Sequence, residues 1–206
     1  MESANQTHQY FILYKPYGFL SQFVNNQNKR TNKKMLGDLF SFPTGTMAIG
    51  RLDEGSEGLL MLTTHGKMSE FVRSNKVEKE YYVQVDGIIT PDALEKMKTG
   101  IEIGVPSSNS HPEKFIYKTK PCEIFKLNQA PNLPERSKKI RDERHGPTSW
   151  VSITIKEVKF RQVRKMTAKV GFPTLRLVRV RIGDFHLGNL KVGEVKKVDS
   201  FYNLPP

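Results

Sequence analysis

This sequence has a single cysteine, no long hydrophobic run and no cluster of histidines. Because Cys122 stands alone among 206 residues, the chain can form neither an internal disulfide nor a cysteine metal site, and we expect a reducing, cytoplasmic location. No apolar stretch approaches the ~20 residues that cross a bilayer, and residues 1–9 lack the apolar core of a signal peptide. The histidines lack metal-ligand spacing, since they stand at His8, His65, His111, His145 and His186. We therefore expect no membrane partner and no metal.

Positive charge is in clear excess. Lysine and arginine total 33 against 21 acidic residues, which gives a formal net charge of +12 and a pI of about 9.7. Solubility alone does not require so basic a chain, whereas a polyanion releases counterions when it binds one. Nucleic acid is therefore the first partner to consider, and an anionic membrane the second. The membrane is disfavoured because the basic residues fall in predicted strands and loops without an amphipathic apolar face.

Alternating apolar residues and turn signals indicate a globular chain built from many short elements. Hydrophobic residues make up 37% and charged residues 26%, enough for one core or for two small lobes that share a cleft. The patterns predict helices near 67–73, 90–98 (with Thr90 as N-cap) and 161–170, and strands at 10–14, 47–49, 59–62, 79–87, 121–127, 150–155 and 175–182. Many antiparallel-type strands with few helices predict a mixed α+β fold. Residues 1–9 are expected to be a disordered lead, and residues 128–147 a long basic loop.

The stretch from residue 48 to residue 63 is the most informative for chemistry. It places Asp53 in a turn between two apolar, strand-like runs, and the turn is punctuated by Gly50, Gly55 and Gly58. A carboxylate held at the end of a strand is well placed to meet a substrate, as a nucleophile or as a base. The alternative is that Asp53 only caps the turn. This segment by itself leaves both interpretations open.

Basic residues are concentrated between Lys156 and Arg181, where the only acid is Glu157. Side chains at i, i+3 and i+4 of a helix project from one side, and this is the spacing of Arg161, Arg164 and Lys165. The following strand is expected to add, on one face, Arg176, Arg179 and Arg181. Such a surface either binds phosphate or is a solvated basic face. One of its arginines is also a candidate to pair with Asp53 and keep it ionised.

Two adjacent tyrosines are candidates for contact with a base. Tyr81 and Tyr82 lie in a strand of alternating pattern, so one faces the core and the other faces outward. Either ring alone is readily explained as a core filler. An enzyme acting on RNA also needs an aromatic ring that stacks on an extruded base, and we expect one of the pair to line the cleft.

Four motifs occur in order along the chain and carry a family resemblance. They are Lys15-Pro16-x-Gly18, Gly50-Arg51-Leu52-Asp53-x-x-Ser56-Glu57-Gly58-Leu59-Leu60, Lys79-x-Tyr81-x-Val83-x-Val85-x-Gly87 and Arg161-Gln162-Val163-Arg164-Lys165-Met166. With them the sequence resembles the RNA pseudouridine synthases of the ribosomal small-subunit synthase A family, from about residue 10 to residue 198. Residues 147–150 and 170–177 make it most similar to members that modify large-subunit rRNA. One departure is Glu157-Val158-Lys159-Phe160, where the family generally has Glu-Gly-Lys-Asn.

The resemblance implies an enzyme that isomerises a specific uridine to pseudouridine in ribosomal RNA, with the large-subunit (23S) rRNA as the expected substrate. It makes Asp53 the catalytic carboxylate, either as a nucleophile or, in a glycal route, as the base that takes a ribose proton. Tyr81 would stack on the target base, Arg164 would pair with Asp53, and Leu177 would close the apolar wall. Because uridine and pseudouridine are isomers, no metal or organic cofactor is expected.

The same resemblance implies one catalytic domain over residues 10–200, in two lobes that share a cleft, without a separate N-terminal RNA-binding domain. We expect it to act on ribosomal RNA as a monomer, with Arg51 helping to fill the space left by the flipped nucleotide. The predicted RNA-binding residues are Lys15, Arg51, Arg161, Lys165, Arg176 and Arg179. The base must leave its stack at a cost of a few kcal/mol, which phosphate contacts can offset. The competing hypothesis is a non-catalytic rRNA-binding or ribosome-assembly factor.

Overall fold

The chain folds around one large sheet, seen in a computed structural model that describes residues 8–24, 32–74, 76–107, 114–141, 143–157 and 159–202. The strands are β1 Tyr10–Lys15, β2 Met47–Ala48, β3 Glu57–Thr63, β4 Lys79–Asp86, β5 Glu102–Pro106, β6 Lys114–Lys118, β7 Glu123–Lys126, β8 Thr148–Ile155, β9 Thr174–Ile182, β10 Phe185–His186 and β11 Val195–Val198. The helices are α1 Gly66–Arg73, α2 Pro91–Thr99 and α3 Gln162–Lys169, with short 3₁₀ turns at Leu36–Asp38 and Glu143–His145.

The large sheet has nine strands and is mainly antiparallel. Its main path runs β11-β1-β3-β9-β4-β8-β7, with β2 beside β3 and β10 beside β9. Strands β5 and β6 form a separate antiparallel hairpin. Among the described strands, every pairing is antiparallel except that of β3 with β9. The predicted mixed α+β fold, with a mainly antiparallel sheet and few helices, is confirmed.

A short parallel contact between β3 and β9 joins the two halves of the sheet. Gly58 pairs with Arg179 in this register and has a φ of 104°. A Cβ at Gly58 would lie 2.3 Å from the Arg179 carbonyl oxygen, so only glycine permits both the conformation and the approach. All seven residues of β3 are buried, as expected of a central strand that is covered on both faces.

The helices pack on the sheet through small apolar clusters. Met97 of α2 and Met166 of α3 belong to one core cluster with Val151 of β8. Met68 of α1 belongs to a second cluster with Met61 of β3. Full burial of side chains of this size contributes roughly 1.5–3 kcal/mol each, so α3 is anchored to the sheet by its apolar face.

The predicted elements are present with ends that differ by at most two residues. Thr90 caps α2 as predicted, because its hydroxyl oxygen accepts a hydrogen bond from Ala93 N at 3.3 Å. Strands β5, β6, β10 and β11 are not predicted by the sequence pattern. Gly104 and Pro106 weaken the pattern of β5, and β11 is too short and too basic to show alternation.

The last two residues of the expected disordered lead are held by contacts with the body of the protein. Residues 1–7 of the predicted lead lie outside the described residues, whereas His8 and Gln9 make specific contacts. The His8 ring stacks on His65 with centroids 3.9 Å apart, and Gln9 N donates to Thr64 Oγ1 at 2.9 Å.

In the part of the chain that the structure describes, no helix combines the length and the apolar character needed to cross a bilayer.

The long basic loop is largely irregular, as predicted, but its arginines have partners in the body of the protein. The Arg136 guanidinium lies 4.5 Å from the centroid of the Tyr17 ring. Arg141 forms a two-pronged ion pair with Asp86 at the end of β4. The loop is therefore tied to both halves of the sheet.

Replacing Gly58 with alanine should destabilise the fold by ~3 kcal/mol or more, because the methyl group meets the Arg179 backbone in a paired strand that cannot move aside. Gly37 is the matched control, since nothing lies within 4 Å of its Cβ position. Gly37→Ala should change the unfolding free energy by ~0.5 kcal/mol or less. Urea unfolding followed by circular dichroism compares the two variants, and equal unfolding free energies would contradict the close approach.

Candidate active site

The turn that carries Asp53 is clamped by hydrogen bonds on both sides. Ser21 Oγ accepts from Leu52 N at 3.0 Å and donates to Leu52 O at 2.9 Å. The Lys15 ammonium donates to Ser56 O at 2.8 Å, and Ser56 N donates to Asp53 O at 3.0 Å. The Asp53 side chain is 30% exposed, so a fixed backbone presents a carboxylate that solvent or a substrate can reach.

Two arginines approach the Asp53 carboxylate at different depths. Arg161 Nη1 donates to Asp53 Oδ2 at 2.7 Å, whereas Arg164 Nε lies 3.7 Å from the same oxygen, beyond hydrogen-bond length. Arg164 is the more buried, and its Nη2 donates to Gly55 O at 2.9 Å and to Ser56 Oγ at 3.1 Å. Burial lowers the pKa of Arg164, and the charge of Asp53 opposes that shift. The short ion pair to Asp53 is thus made by Arg161, and Arg164 makes the longer contact.

The backbone of Arg161 is in the left-handed region, with φ 52° and ψ 36°. It is the only non-glycine residue with positive φ among those described. Arg161 precedes α3 and is not part of the helix. The prediction that Arg161 projects from the same helix face as Arg164 is therefore wrong. Gln162 braces the turn: its Oε1 accepts from Lys159 N at 3.1 Å, and its Nε2 donates to Glu157 Oε1 at 2.8 Å. A left-handed non-glycine residue costs ~1–2 kcal/mol, and here it directs a guanidinium to Asp53.

A small cavity with an apolar wall opens beside Asp53. Tyr81 of β4 and Leu177 of β9 line it, and each is 6% exposed. The predicted tyrosine that faces the cleft is therefore Tyr81. The volume of the cavity is about 60 Å³, far below the roughly 300–1,000 Å³ of typical ligand sites. Arg161, which is ion-paired to Asp53, also lines this cavity.

The structure corrects the prediction that Lys15, Arg176 and Arg179 bind RNA phosphate. Lys15 is fully buried and donates to two backbone carbonyls, at 2.9 and 2.8 Å. Arg176 forms a buried ion pair with Glu57 at 2.9 Å, and Arg179 Nε donates to a backbone carbonyl of β3 at 2.8 Å. Arg181 is paired with two glutamates as well. The predicted basic face of β9 is therefore occupied by internal partners and is not open to phosphate.

The other predicted RNA-binding residues lie nearer the surface. Arg51 is exposed and lines the Asp53 cavity together with Arg161. Lys165 is half-buried on α3, with its ammonium 5.0 Å from the centroid of the Phe160 ring.

Within the described ranges, no group of three or more His, Cys, Asp or Glu residues is placed to hold a metal ion. That no cofactor is needed stays a prediction.

Comparison with known proteins identifies the family. A model of the family described as RNA pseudouridylate synthase matches residues 9–169. The chain belongs to this family. The matched segment includes Asp53, Tyr81 and Arg164, and Leu177 lies just beyond it.

Members of the RNA pseudouridylate synthase family align over most of the chain. Ribosomal large subunit pseudouridine synthase E of Vibrio parahaemolyticus is 38% identical over 94% of this chain and 75% of its own length. The protein of the same name from Xanthomonas axonopodis pv. citri is 39% identical over 87% of this chain and 88% of its own. A crystal structure of a pseudouridylate synthase superposes with a TM-score of 0.67 at 26% identity, covering 93% of this chain and 70% of that one.

A second, larger cavity of about 640 Å³ lies beside α2 and β8, and its lining includes Glu95, Lys98, Cys122 and Lys156. Burial raises the pKa of the Cys122 thiol to about 11, with Glu157 and Glu123 adding to the shift. The thiol therefore stays protonated at neutral pH and is a poor nucleophile. The smaller cavity, which holds the clamped carboxylate, is the candidate active site of this family member.

Sequence reasoning missed several residues that position the site. Ser21 holds the backbone next to Asp53, and nothing in its local sequence indicates that contact. Glu57 and Gln162 both lie within the family motifs. Their position there indicates that they matter, but it does not indicate what either side chain contacts. Arg176, the partner of Glu57, lies 119 positions away and becomes visible only when β3 and β9 are packed together, whereas Glu157, the partner of Gln162, is a local neighbour.

Lys15 gives this family member a specific pH dependence of stability. Burial lowers the pKa of its ammonium from 10.5 to about 7, while Glu57, Asp53 and Glu54 oppose the shift. The unfolded chain holds the Lys15 proton up to about pH 10.5, whereas the folded protein releases it above about pH 7. The unfolded state therefore binds more protons across that interval, so the contribution of Lys15 to stability rises with pH and is lost as pH falls towards 7.

Replacing Lys15 with methionine should remove this pH dependence. Between about pH 7 and 9, the unfolding free energy of the wild type relative to Lys15→Met should rise by ~1 kcal/mol per pH unit. Urea unfolding at a series of pH values measures it. Lys197→Met, at an exposed lysine, is the control and should follow the wild type. Parallel curves for wild type and Lys15→Met would show that the lysine titrates normally.

Proposed function

We propose that this protein converts a uridine of ribosomal RNA into pseudouridine, with Asp53 as the catalytic carboxylate. The observation that carries the proposal is a clamped carboxylate beside an apolar cavity, with Arg161 and Arg164 at 2.7 and 3.7 Å. Relatives named ribosomal large subunit pseudouridine synthase E favour large-subunit rRNA as the substrate. The grouping with small-subunit synthase A, based on the four motifs, stays a prediction.

The isomerisation breaks the bond from C1′ to N1 of the base and joins C1′ to C5. C5 loses a proton and N1 gains one, so substrate and product balance without a redox or group-transfer partner. Asp53 acts either as the nucleophile at C1′ or, in the glycal route, as the base for a ribose proton. Tyr81 stacks on the base and Leu177 completes the apolar wall. Arg164 is proposed to act as the ion-pair partner that orients the Asp53 carboxylate beside this wall.

The two arginines have different tasks in this proposal. Arg164 Nε is buried without a hydrogen-bond partner, 3.7 Å from Asp53. A buried unpaired donor costs ~1–3 kcal/mol, and a small shift of the carboxylate towards Arg164 removes that cost. The Arg161 side chain is 42% exposed and can turn outward. RNA binding therefore moves Arg161 from Asp53 to a phosphate, Asp53 pairs with Arg164, and the cavity opens.

The wider setting follows from the same proposal. Residues 10–200 form a catalytic domain of two lobes around a cleft, and the junction of the two sheet halves beside the cavity supports this division. Arg51, Arg161 and Lys165 contact the RNA. The protein acts as a monomer in the cytoplasm, where a single free cysteine is compatible with the reducing environment.

Asp53→Asn should abolish pseudouridine formation and leave RNA binding at least as tight as in the wild type, because the amide keeps the size of the side chain but is neither nucleophile nor base. Pseudouridine mapping of rRNA from cells that lack the gene, complemented with each variant, measures the reaction and reveals the target uridine. Asp199→Asn, at an exposed aspartate, is the control and should restore full modification. Full activity of Asp53→Asn would exclude Asp53 as the catalytic carboxylate, whereas an unchanged pseudouridine map in cells that lack the gene would favour the non-catalytic assembly factor.

A double-mutant cycle tests the exchange of Arg161. Asp53→Asn releases Arg161, so RNA affinity should rise about two- to fivefold, the range expected for a partly exposed ion pair. The gain should vanish in an Arg161→Met background and persist in an Arg51→Met background. Filter binding with rRNA fragments measures the affinities. If the gain is the same in both backgrounds, it reflects the general charge of the groove, and Arg161 does not exchange partners.

A further inference from the structure

An exposed aromatic ring lies next to the Asp53 cavity. Phe160 is 58% exposed, and its chain neighbours Lys159 and Arg161 both line the cavity beside Asp53. Burying a phenylalanine side chain contributes ~1.5–3 kcal/mol, so a ring left in water at this position forgoes stability. The isomerisation outlined above makes no use of it.

The ring is carried by a braced turn. Gln162 N donates to Lys159 O at 3.1 Å, and Lys159 N donates to Gln162 Oε1 at 3.1 Å. The Gln162 amide is held in turn by the buried Glu157 carboxylate, which also accepts from the Tyr117 hydroxyl. A turn that is ordered before binding loses little conformational entropy when a ligand binds. Phe160 can therefore stack on a flat ligand at a low entropic cost.

Cations lie beside the ring. The Lys165 ammonium lies 5.0 Å from the centroid of Phe160, and that of Lys159 lies 4.5 Å from the centroid of Tyr117. Lys165 and Lys169 also line a groove of about 440 Å³ between α3 and the β5–β6 hairpin. Aromatic faces set among backbone-binding cations are the physical basis of single-stranded nucleic-acid sites. These lysines give the surface around Phe160 and the neighbouring groove a positive charge.

We infer that Phe160 stacks on a second unpaired base of the RNA, from a nucleotide next to the one that enters the cavity. This inference rests on the proposed function, because it extends the path of the same RNA strand. The Lys165 ammonium lies over one face of the ring, and the base takes the other. Every base has an aromatic face, so this site supplies affinity and register without selecting a base.

Binding to two oligomers of equal charge separates stacking from electrostatics. The probes are fluorescein-labelled oligouridylate and a ribose-phosphate oligomer of the same length without bases. Phe160→Ala should weaken binding of oligouridylate by roughly 5- to 150-fold and leave binding of the abasic oligomer unchanged. Phe160→Trp keeps a flat ring and should bind oligouridylate at least as tightly as the wild type.

Phe125→Ala is the matched control, because Phe125 is 54% exposed on β7 and does not line the Asp53 cavity. It should bind both oligomers as the wild type does, and thermal melting of each variant checks the fold. The site is overturned if Phe160→Ala binds oligouridylate like the wild type, if it loses affinity equally for both oligomers, or if the wild type does not bind oligouridylate.

Pseudouridine mapping with the wild-type protein distinguishes a failure of the Phe160 stacking site from a failure of the proposed function. A failed stacking site with intact modification removes only the role of Phe160. A wild-type protein that makes no pseudouridine removes the proposed function itself, whatever the oligomers show.

Discussion

The close parallel approach of β3 and β9 is the constraint on which the rest of the structure depends. At Gly58 the missing side chain lets the Arg179 backbone come within a distance that no other residue allows. Asp53 lies in the turn just before β3, Leu177 lies in β9, and Tyr81 lies in β4, the next strand in the sheet. The cavity is therefore assembled where the two halves of the sheet meet, and α3 enters it because this helix leads directly into β9.

The same junction explains why the chain has more basic residues than its surface offers to RNA. Arg176 and Glu57 form a buried, two-pronged pair with contacts of 3.0 and 2.9 Å, and Lys15 is enclosed by backbone carbonyls. Buried charges of this kind are tolerated only when paired and hydrogen-bonded. The 33 lysines and arginines of the chain thus include groups of the scaffold as well as groups of the binding surface.

The region around Asp53 combines strain with an unfilled hydrogen bond. Arg161 has a left-handed backbone conformation and donates a hydrogen bond to Asp53. Arg164 Nε is buried and has no hydrogen-bond partner. Both features raise the energy of the RNA-free protein. In the proposed function, Arg164 Nε gains Asp53 as a partner when a phosphate draws Arg161 away. Phe160 extends from the same braced turn, so one short segment before α3 joins the chemistry at Asp53 to the surface along which RNA is proposed to lie.

The sequence by itself determined the family, the order of the main elements and the Asp53-containing turn, because periodicity, glycine placement and ordered motifs are local properties. It also grouped Asp53, Tyr81, Arg164 and Leu177, which line one cavity. Only the tertiary structure decided which basic residues are buried and which arginine holds the carboxylate. The reason is physical: Arg176 meets Glu57 across 119 positions and Arg161 meets Asp53 across 108, and no local pattern specifies partners so far apart.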